Sequence, residues 1–549
     1  MSVIKIRQYA ETLRHLGLKQ LYYNVFRRLK KTPRARPVGQ IKCRGIKMTM
    51  PIVSTGKISV QGVRFLNREK SYQDIGAWRC ESESKLWRYN LHYFDYLLDE
   101  HADQKIKDRL IDEWLVASKD LDFDAWEPYP LSLRIVNWIK YFVCFKDDKI
   151  PERWQKSLYQ QVDVLNRSIE YHILANHLLK NVKAIFFAGC YFDGDRADAW
   201  RRQGLSMFVK QIKEQFLKDG GHYEKSPMYH SICVEDCIDV LNLVITNNFD
   251  IPDQDADTIM GTSTNALDFL CSITMPDGDI PLFNDSAFDI AATPRRIISY
   301  AERVFDYSGL QTTPSAKAFA DTGYYLIEDG LHKFIIDCGS VSPGYQPGHT
   351  HCDILSYELV INGRRVVVDT GVYDYEDSNE RRISRATRSH NTIAIDGCEQ
   401  IDIWGKFRVG RRPQVYPGTI RATETEIVFE GSYVPYWGRS SAVCHERKVK
   451  YQPGCWVIAD TVRGRKNGNI NNYIHLAPGI QLEQRGRSWY ICEQEKLIAE
   501  IIFDPATQVS LEDGWYYPEF GIKQKNTVIN LISHKSAGLH NQCYQIRAL

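Results

Sequence analysis

The chain has 549 residues, with 70 Lys and Arg against 68 Asp and Glu and a formal charge of +2. The strong basic excess of a nucleic-acid binder is missing, the length suits two to four domains, and no apolar run is long enough for a transmembrane segment. The 14 cysteines include no C-x-x-C pair, which argues against a zinc ribbon or a secreted disulfide framework. Lys5, Arg7, Glu11 and Arg14 interrupt any signal-peptide core, so a cytoplasmic setting is expected.

Residues 1–50 read as a basic helical arm. Leu13, Leu16, Leu18, Leu21 and Tyr22 give helical spacing, and a run from Arg27 to Arg34 follows. Such a run is most often a solvated linker; contact with an anionic membrane or an acidic polymer is the second reading. A strand-like piece (Val53 to Phe65) and the aromatic stretch Trp87 to Phe94 come next. From Leu91 to about Arg303 the apolar residues recur with a helical period. Helices are predicted at Trp154–Leu174, His177–Ala188, Trp200–Leu217, Tyr229–Ile245 and Ala256–Thr274, an all-α array or toroid over 51–315.

Two stretches of this half hold reactive side chains. Leu174 to Asn181 sets Asn176 and His177 at a helix start, with Asn176 as the expected cap. Asp219 to His230 gathers glycines, hydroxyls and imidazoles in a loop entering a helix. Taken alone, the first reads more readily as plain capping and the second as a turn with incidental polar groups.

Beyond a boundary near Leu310–Ala320 the pattern changes to short alternating runs broken by Asp329-Gly330, Asn362-Gly363 and Asp396-Gly397. This predicts an antiparallel β-sandwich over 316–549, hence an α+β, multidomain chain. Within it, Gly348-His349-Thr350-His351-Cys352-Asp353 precedes a hairpin whose Asn362-Gly363 turn needs positive φ at both positions. The hairpin returns Asp369 towards His351, and His390 opens a further strand. Two imidazoles and a carboxylate converging in this way suit zinc; ordinary polar groups at strand ends give the same pattern. On a strand His349 and His351 would share a face.

Taken together, Asn176-His177, the D-G-x-x-x-E-x-S-x-x-Tyr-His loop, H-x-H-x-D, D-x-G-x-Tyr and Ser389-His390-Asn391-Thr392 resemble the heparinase II/III family of polysaccharide lyases. Glu127 to Arg134, Pro276 to Pro281 and His445 to Asp460 extend the likeness to nearly the whole chain from Trp87. The resemblance implies an incomplete α/α toroid followed by an antiparallel β-domain, with an acidic, uronate-containing polysaccharide cleaved by β-elimination between them. It implies that Asn176, assisted by His177, neutralises the uronate carboxylate, that Tyr229 serves the leaving oxygen, and that His349 is the base. It also implies zinc in a structural role on His351, Asp369 and His390. Glu224, Arg134, Arg388 and Tyr373 are expected as substrate contacts. One departure is that relatives carry a second tyrosine shortly before the Ser-His-Asn-Thr stretch, where this chain reads Arg382 to Thr387; Tyr373 or Tyr375 is the candidate to replace it. A C5-uronate epimerase and a non-catalytic polysaccharide-binding or assembly protein are the alternative readings.

Overall fold

The computed structural model describes residues 3–549 except 30–32, 34, 77, 120–123, 147, 310–314, 439–441, 466 and 487. Its first half is helical. Long helices span Pro128–Cys144, Glu152–Asn166, Ala175–Tyr191, Asp195–Gln215, Pro227–Thr246 and Asp253–Ile273, with Pro294–Phe305 closing the set. They wrap a core in which Trp87, Trp114, Trp138, Trp154, Leu179, Phe186 and Ile238 are buried. The helix pair Ala175–Tyr191 and Asp195–Gln215 packs unusually close because two crossing points carry no side chain. A Cβ on Gly189 would sit 2.2 Å from the Arg201 nitrogen, and one on Gly204 2.5 Å from that of Phe186.

Two local expectations are corrected. The helix predicted over Trp154–Leu174 ends at Asn166. Its apolar spacing continues into an irregular turn before the next helix, whose entry residues Leu174 (φ 66°) and Ala175 (φ 52°) are left-handed. Two adjacent non-glycine residues in that region hold strain just ahead of Asn176 and His177, a feature concentrated at functional sites. The strand predicted across Val53–Phe65 is confined to Gly62–Phe65, paired with Arg68–Ser71.

The last toroid helix ends at Phe305 and the first strand of the second half starts at Ser315. From there the chain builds sheets of five, eight and four strands, in which every strand pair is antiparallel. The hairpin Tyr357–Ile361 to Arg364–Val367 edges the five-stranded sheet. Its turn residues Asn362 (φ 51°) and Gly363 (φ 76°) both take the left-handed conformation the sequence demands. Phe334, Tyr357, Ile458, Ile529 and Ile546 join the sheets in one core.

Two helices, Val3–Arg14 and Leu18–Leu29, form the N-terminal arm. Lys30, Lys31, Thr32 and Arg34 of the basic run lie outside the described residues. Among the described residues no helix is long and apolar enough to cross a membrane.

Candidate active site

A cleft of about 980 Å³ opens between the toroid and the β-domain, lined by Tyr89, Tyr129, Asn176, His177 and Tyr229 on one side and His349, Tyr375 and Phe407 on the other. Asn176, His177, Tyr229 and His349 thus share one cavity, although they are distant in sequence.

Two helix N-termini set the toroid side. Ser226 caps the helix that follows it by accepting from the Tyr229 N–H (3.2 Å), and Pro227 occupies the first helical position, where its missing N–H costs nothing. Tyr229 is thereby fixed on the first turn. Asn176 does not act as the cap expected of it, because the helix already begins at Ala175. Its backbone N–H (3.0 Å) and side-chain Nδ2 (2.9 Å) both donate to Glu224, so a carboxylate from the neighbouring loop satisfies the helix end. The Asn176 Oδ1, buried, has no partner. His177 donates through Nδ1 to Glu170 (3.2 Å) and lies 4.3 Å from the Tyr129 ring.

His349 and His351 do not sit on a strand. They occupy the irregular segment between strands His332–Asp337 and Tyr357–Ile361, and a toroid residue draws them together. Asp285, fully buried, accepts from His349 Nδ1 at 2.8 Å through one oxygen and from His351 Nε2 at 2.7 Å through the other. Arg381 closes the same carboxylate with both terminal nitrogens. Burial alone would raise the Asp285 carboxyl; Arg381, His349 and His351 instead hold it well below the usual carboxylate range. Backbone bonds clasp the two segments further, with Asp285 N–H on the His349 carbonyl (3.0 Å) and His351 N–H on Asn284 Oδ1 (3.1 Å). The other His349 nitrogen, Nε2, faces Glu224 at 3.1 Å. Glu224 therefore joins Asn176 to His349, and Asp285 joins His349 to His351.

The Tyr229 ring lies 3.9 Å from that of His349, and its hydroxyl meets the Tyr375 hydroxyl at 3.3 Å. Burial, reinforced by Tyr375, pushes the Tyr229 phenol well above its ordinary range, so it rests protonated. Tyr375 is itself seated against Phe407 and Phe520, with the Arg381 guanidinium 4.9 Å from its ring. Of the two tyrosines considered as the second one, Tyr375 lines the cleft; Tyr373 instead packs on Tyr517 at 5.5 Å.

Behind this row lies a buried cluster. Among the described residues, one group offers ligand atoms within 4.8 Å of one another: His351, Asp353 and His390. Asp369, expected as the carboxylate ligand, accepts from His390 Nδ1 at 2.8 Å and stands behind that ring. The ring nitrogens left over, His351 Nδ1 and His390 Nε2, are buried without a partner, which fits a cation held by imidazoles whose opposite nitrogens are fixed by carboxylates. Burial pushes the Asp353 carboxyl up to about 6 against the pull of His390, the behaviour of an acid that lacks a full counter-charge.

The remaining expected contacts lie elsewhere. Arg134 is buried inside the toroid, bonded to Gln161 Oε1 (2.7 Å) and the Ala125 carbonyl (2.9 Å) with its guanidinium 4.2 Å over Trp114, and is a packing residue. Arg388 points outward to Glu512 (3.4 Å). Glu224 is buried and orients Asn176 and His349. Sequence reasoning missed Asp285, since an Asp in a loop carries no spacing signal, and with it the pairing of Arg381, whose charged run reads as suited to an acidic chain or as a surface loop. Asp353 stood in the H-x-H-x-D motif itself.

Comparison with known proteins agrees with this architecture. The model of the heparinase II/III N-terminus matches residues 63–309, and that of the heparinase II/III-like C-terminal region matches 311–546. A heparin-sulfate lyase of Pedobacter heparinus is 28% identical over 309 residues, 52% of this chain and 46% of its own length. One of Bacteroides stercoris is 22% identical over 466 residues, 78% of this chain and 66% of its own. The chain thus spans less than two thirds of either relative. A crystal structure of heparinase III superposes with a TM-score of 0.68 at 19% identity, covering 85% of this chain and 78% of that one. With both halves matched in order across almost all of its length, the chain belongs to the heparinase II/III family.

Proposed function

We propose that the protein is a polysaccharide lyase that cleaves a uronate-containing polymer by β-elimination. The observation that carries this reading is the convergence of Asn176, Tyr229 and His349 on one cleft with Tyr375 against Tyr229. The C5 hydrogen of a uronate is weakly acidic because the adjacent carboxylate is already charged. Asn176, its amide set by Glu224, lowers that charge as it grows into an enolate-like intermediate, an oxyanion-hole effect. His349, moved off Glu224 by the entering sugar, takes the C5 proton; Asp285 on its Nδ1 keeps the ring oriented. Tyr229, resting protonated, gives its hydrogen to the departing glycosidic oxygen as the C4–O bond breaks and the C4–C5 double bond forms. The phenol then regains a proton from solvent while His349 releases its own.

The charges of the cleft favour a substrate whose anionic groups are mainly its carboxylates. Its lysines are already neutralised from behind or alongside: Lys180 and Lys183 by Asp236 (2.7 and 2.6 Å), Lys140 by Asp239 (2.6 Å), Lys85 by Glu127 (2.9 Å), Lys57 by Asp95 (2.5 Å) and Lys406 by Glu376 (2.8 Å). Of the lining arginines, Arg64 bonds to Asn67 Oδ1 and Arg296 to the Val53 carbonyl, and these two are the cations left to an anionic substrate. Asp279, Asp289 and Glu519 add further carboxylates to the walls. A densely sulfated chain would meet few uncommitted cations there. Incubation with unsulfated and sulfated uronate polymers should give an unsaturated, ultraviolet-absorbing end, with the unsulfated polymers cut at least ~10-fold faster, as loss of a paired charge implies. Exchange of the C5 hydrogen with solvent without chain shortening would mark an epimerase, and neither result would mark a binding protein.

The buried cluster fits a structural zinc held by His351 and His390 with Asp353, tying the His349 segment to the turn before His390. Elemental analysis of protein purified without chelators should find about one zinc per chain, lost on His390→Ala substitution. Absence of metal from the unsubstituted protein would remove this part of the reading.

A further inference from the structure

The N-terminal arm bonds to the body through several polar side chains and leaves a large part of its apolar surface outside. Its inward face makes polar bonds beside a few ring contacts: Gln8 Nε2 donates to Asp402 (2.9 Å), Thr12 Oγ1 to the Val409 carbonyl (3.0 Å), and Gln20, 1% exposed, to the Tyr345 carbonyl (3.2 Å), while Tyr9 meets Trp404 (4.6 Å), Tyr23 meets Tyr171 (4.8 Å) and Leu16 and Leu21 are half-buried. A second set of apolar residues faces outward. Ile6 and Leu13 stand one heptad apart on the first helix, and Leu18, Tyr22 and Val25 follow the i, i+4, i+7 spacing of one stripe on the second. All five are more than half exposed, Leu18 at 86%. Among the described residues, 6 of the 16 exposed large hydrophobic side chains fall between Ile6 and Val25. Charge is concentrated in the same segment. Residues 1–36 hold ten of the 70 Lys and Arg and one of the 68 acids, leaving +9 there and −7 on the remainder of the chain.

We propose that this arm is a peripheral docking element for an anionic lipid surface. A lipid surface with acidic headgroups accepts both halves of the pattern, burying the apolar stripes at the acyl boundary while the Lys and Arg pair with phosphate. A second copy of the chain would set one +9 segment against another. An acidic polysaccharide would take the charges and leave Leu18 and Val25 in water. The polar inner bonds keep the helices on the body while this second apolar set faces outward, so docking needs no refolding.

Sedimentation of the full chain with vesicles of phosphatidylethanolamine and phosphatidylglycerol should show binding that weakens as salt rises, against little binding to phosphatidylcholine alone. Combined Leu13→Ser, Leu18→Ser and Val25→Ser should lower partitioning at least ~10-fold, and so should combined Arg27→Gln, Arg28→Gln, Lys30→Gln and Lys31→Gln. The serine changes lie at exposed positions, so an unchanged circular-dichroism melting curve verifies that the fold is kept. The proposal is overturned if anionic vesicles do not bind the protein, or if binding survives the serine changes. It is overturned equally if the arm instead drives dimerisation, or retention on an acidic polysaccharide, that those changes abolish.

Discussion

Replacing Tyr229 with Phe is expected to lower turnover by at least ~10²-fold while leaving substrate binding largely intact, the signature of a lost proton transfer. The change removes one oxygen whose hydrogen-bond partner is the Tyr375 hydroxyl, and the ring keeps its place beside His349, so folding is little affected. Tyr375→Phe separates two roles. If Tyr375 only steadies the Tyr229 hydroxyl, its loss costs less than that of Tyr229; if it shares the proton, both variants fall together. Tyr223→Phe is the internal control, because that hydroxyl bonds to Tyr345 (3.1 Å) and its side chain does not line the cleft. Asn176→Ala should also lose turnover, through the unneutralised carboxylate. Near-normal rates for Tyr229→Phe on a polymer the unsubstituted protein cleaves would show that another group serves the leaving oxygen.

Much of this architecture is legible in the sequence because it depends on local rules. The helical period of the first half and the alternating runs of the second give the two architectures, and Asn362-Gly363 gives its hairpin, since each depends on neighbours a few residues away. The cleft residues were legible by resemblance, as motifs whose order the fold preserves. What stayed hidden is long-range. Asp285 meets His349 and His351 across some sixty residues and Arg381 across nearly a hundred, and no spacing encodes that. Glu224 and Arg134 show the opposite error. Charged residues inside recognisable motifs look like substrate contacts, yet the packed interior claims them, one as the brace of Asn176 and the other as a cation stacked on Trp114. The left-handed Leu174 and Ala175 likewise contradict their helical spacing, and local rules fail there because the chain must turn to present Asn176.

Asp285→Asn is expected to destabilise the protein by about 3–5 kcal/mol, the cost of leaving a buried charge without its partner. Asp285 and Arg381 are each almost wholly inaccessible, and the two carboxylate oxygens receive four donors, two from Arg381 and one each from His349 and His351. An amide keeps the shape but turns one acceptor into a donor facing donors, and it leaves the guanidinium uncompensated. Activity should fall as well, because His349 loses the group that fixes its ring. The double change Asp285→Asn with Arg381→Met separates the two effects: removing the stranded cation should recover a good part of the stability in a denaturant titration, while activity stays low. Acid response provides an independent check. A carboxyl held well below its unfolded value stabilises the fold fully above about pH 4 and loses that contribution as pH falls through its folded pKa. The unsubstituted protein should therefore weaken more steeply on acidification than Asp285→Asn does. Equal stability of the two proteins at neutral pH would mean that Arg381 finds another counter-charge, and that the Asp285 carboxylate is not what joins toroid to β-domain at the site.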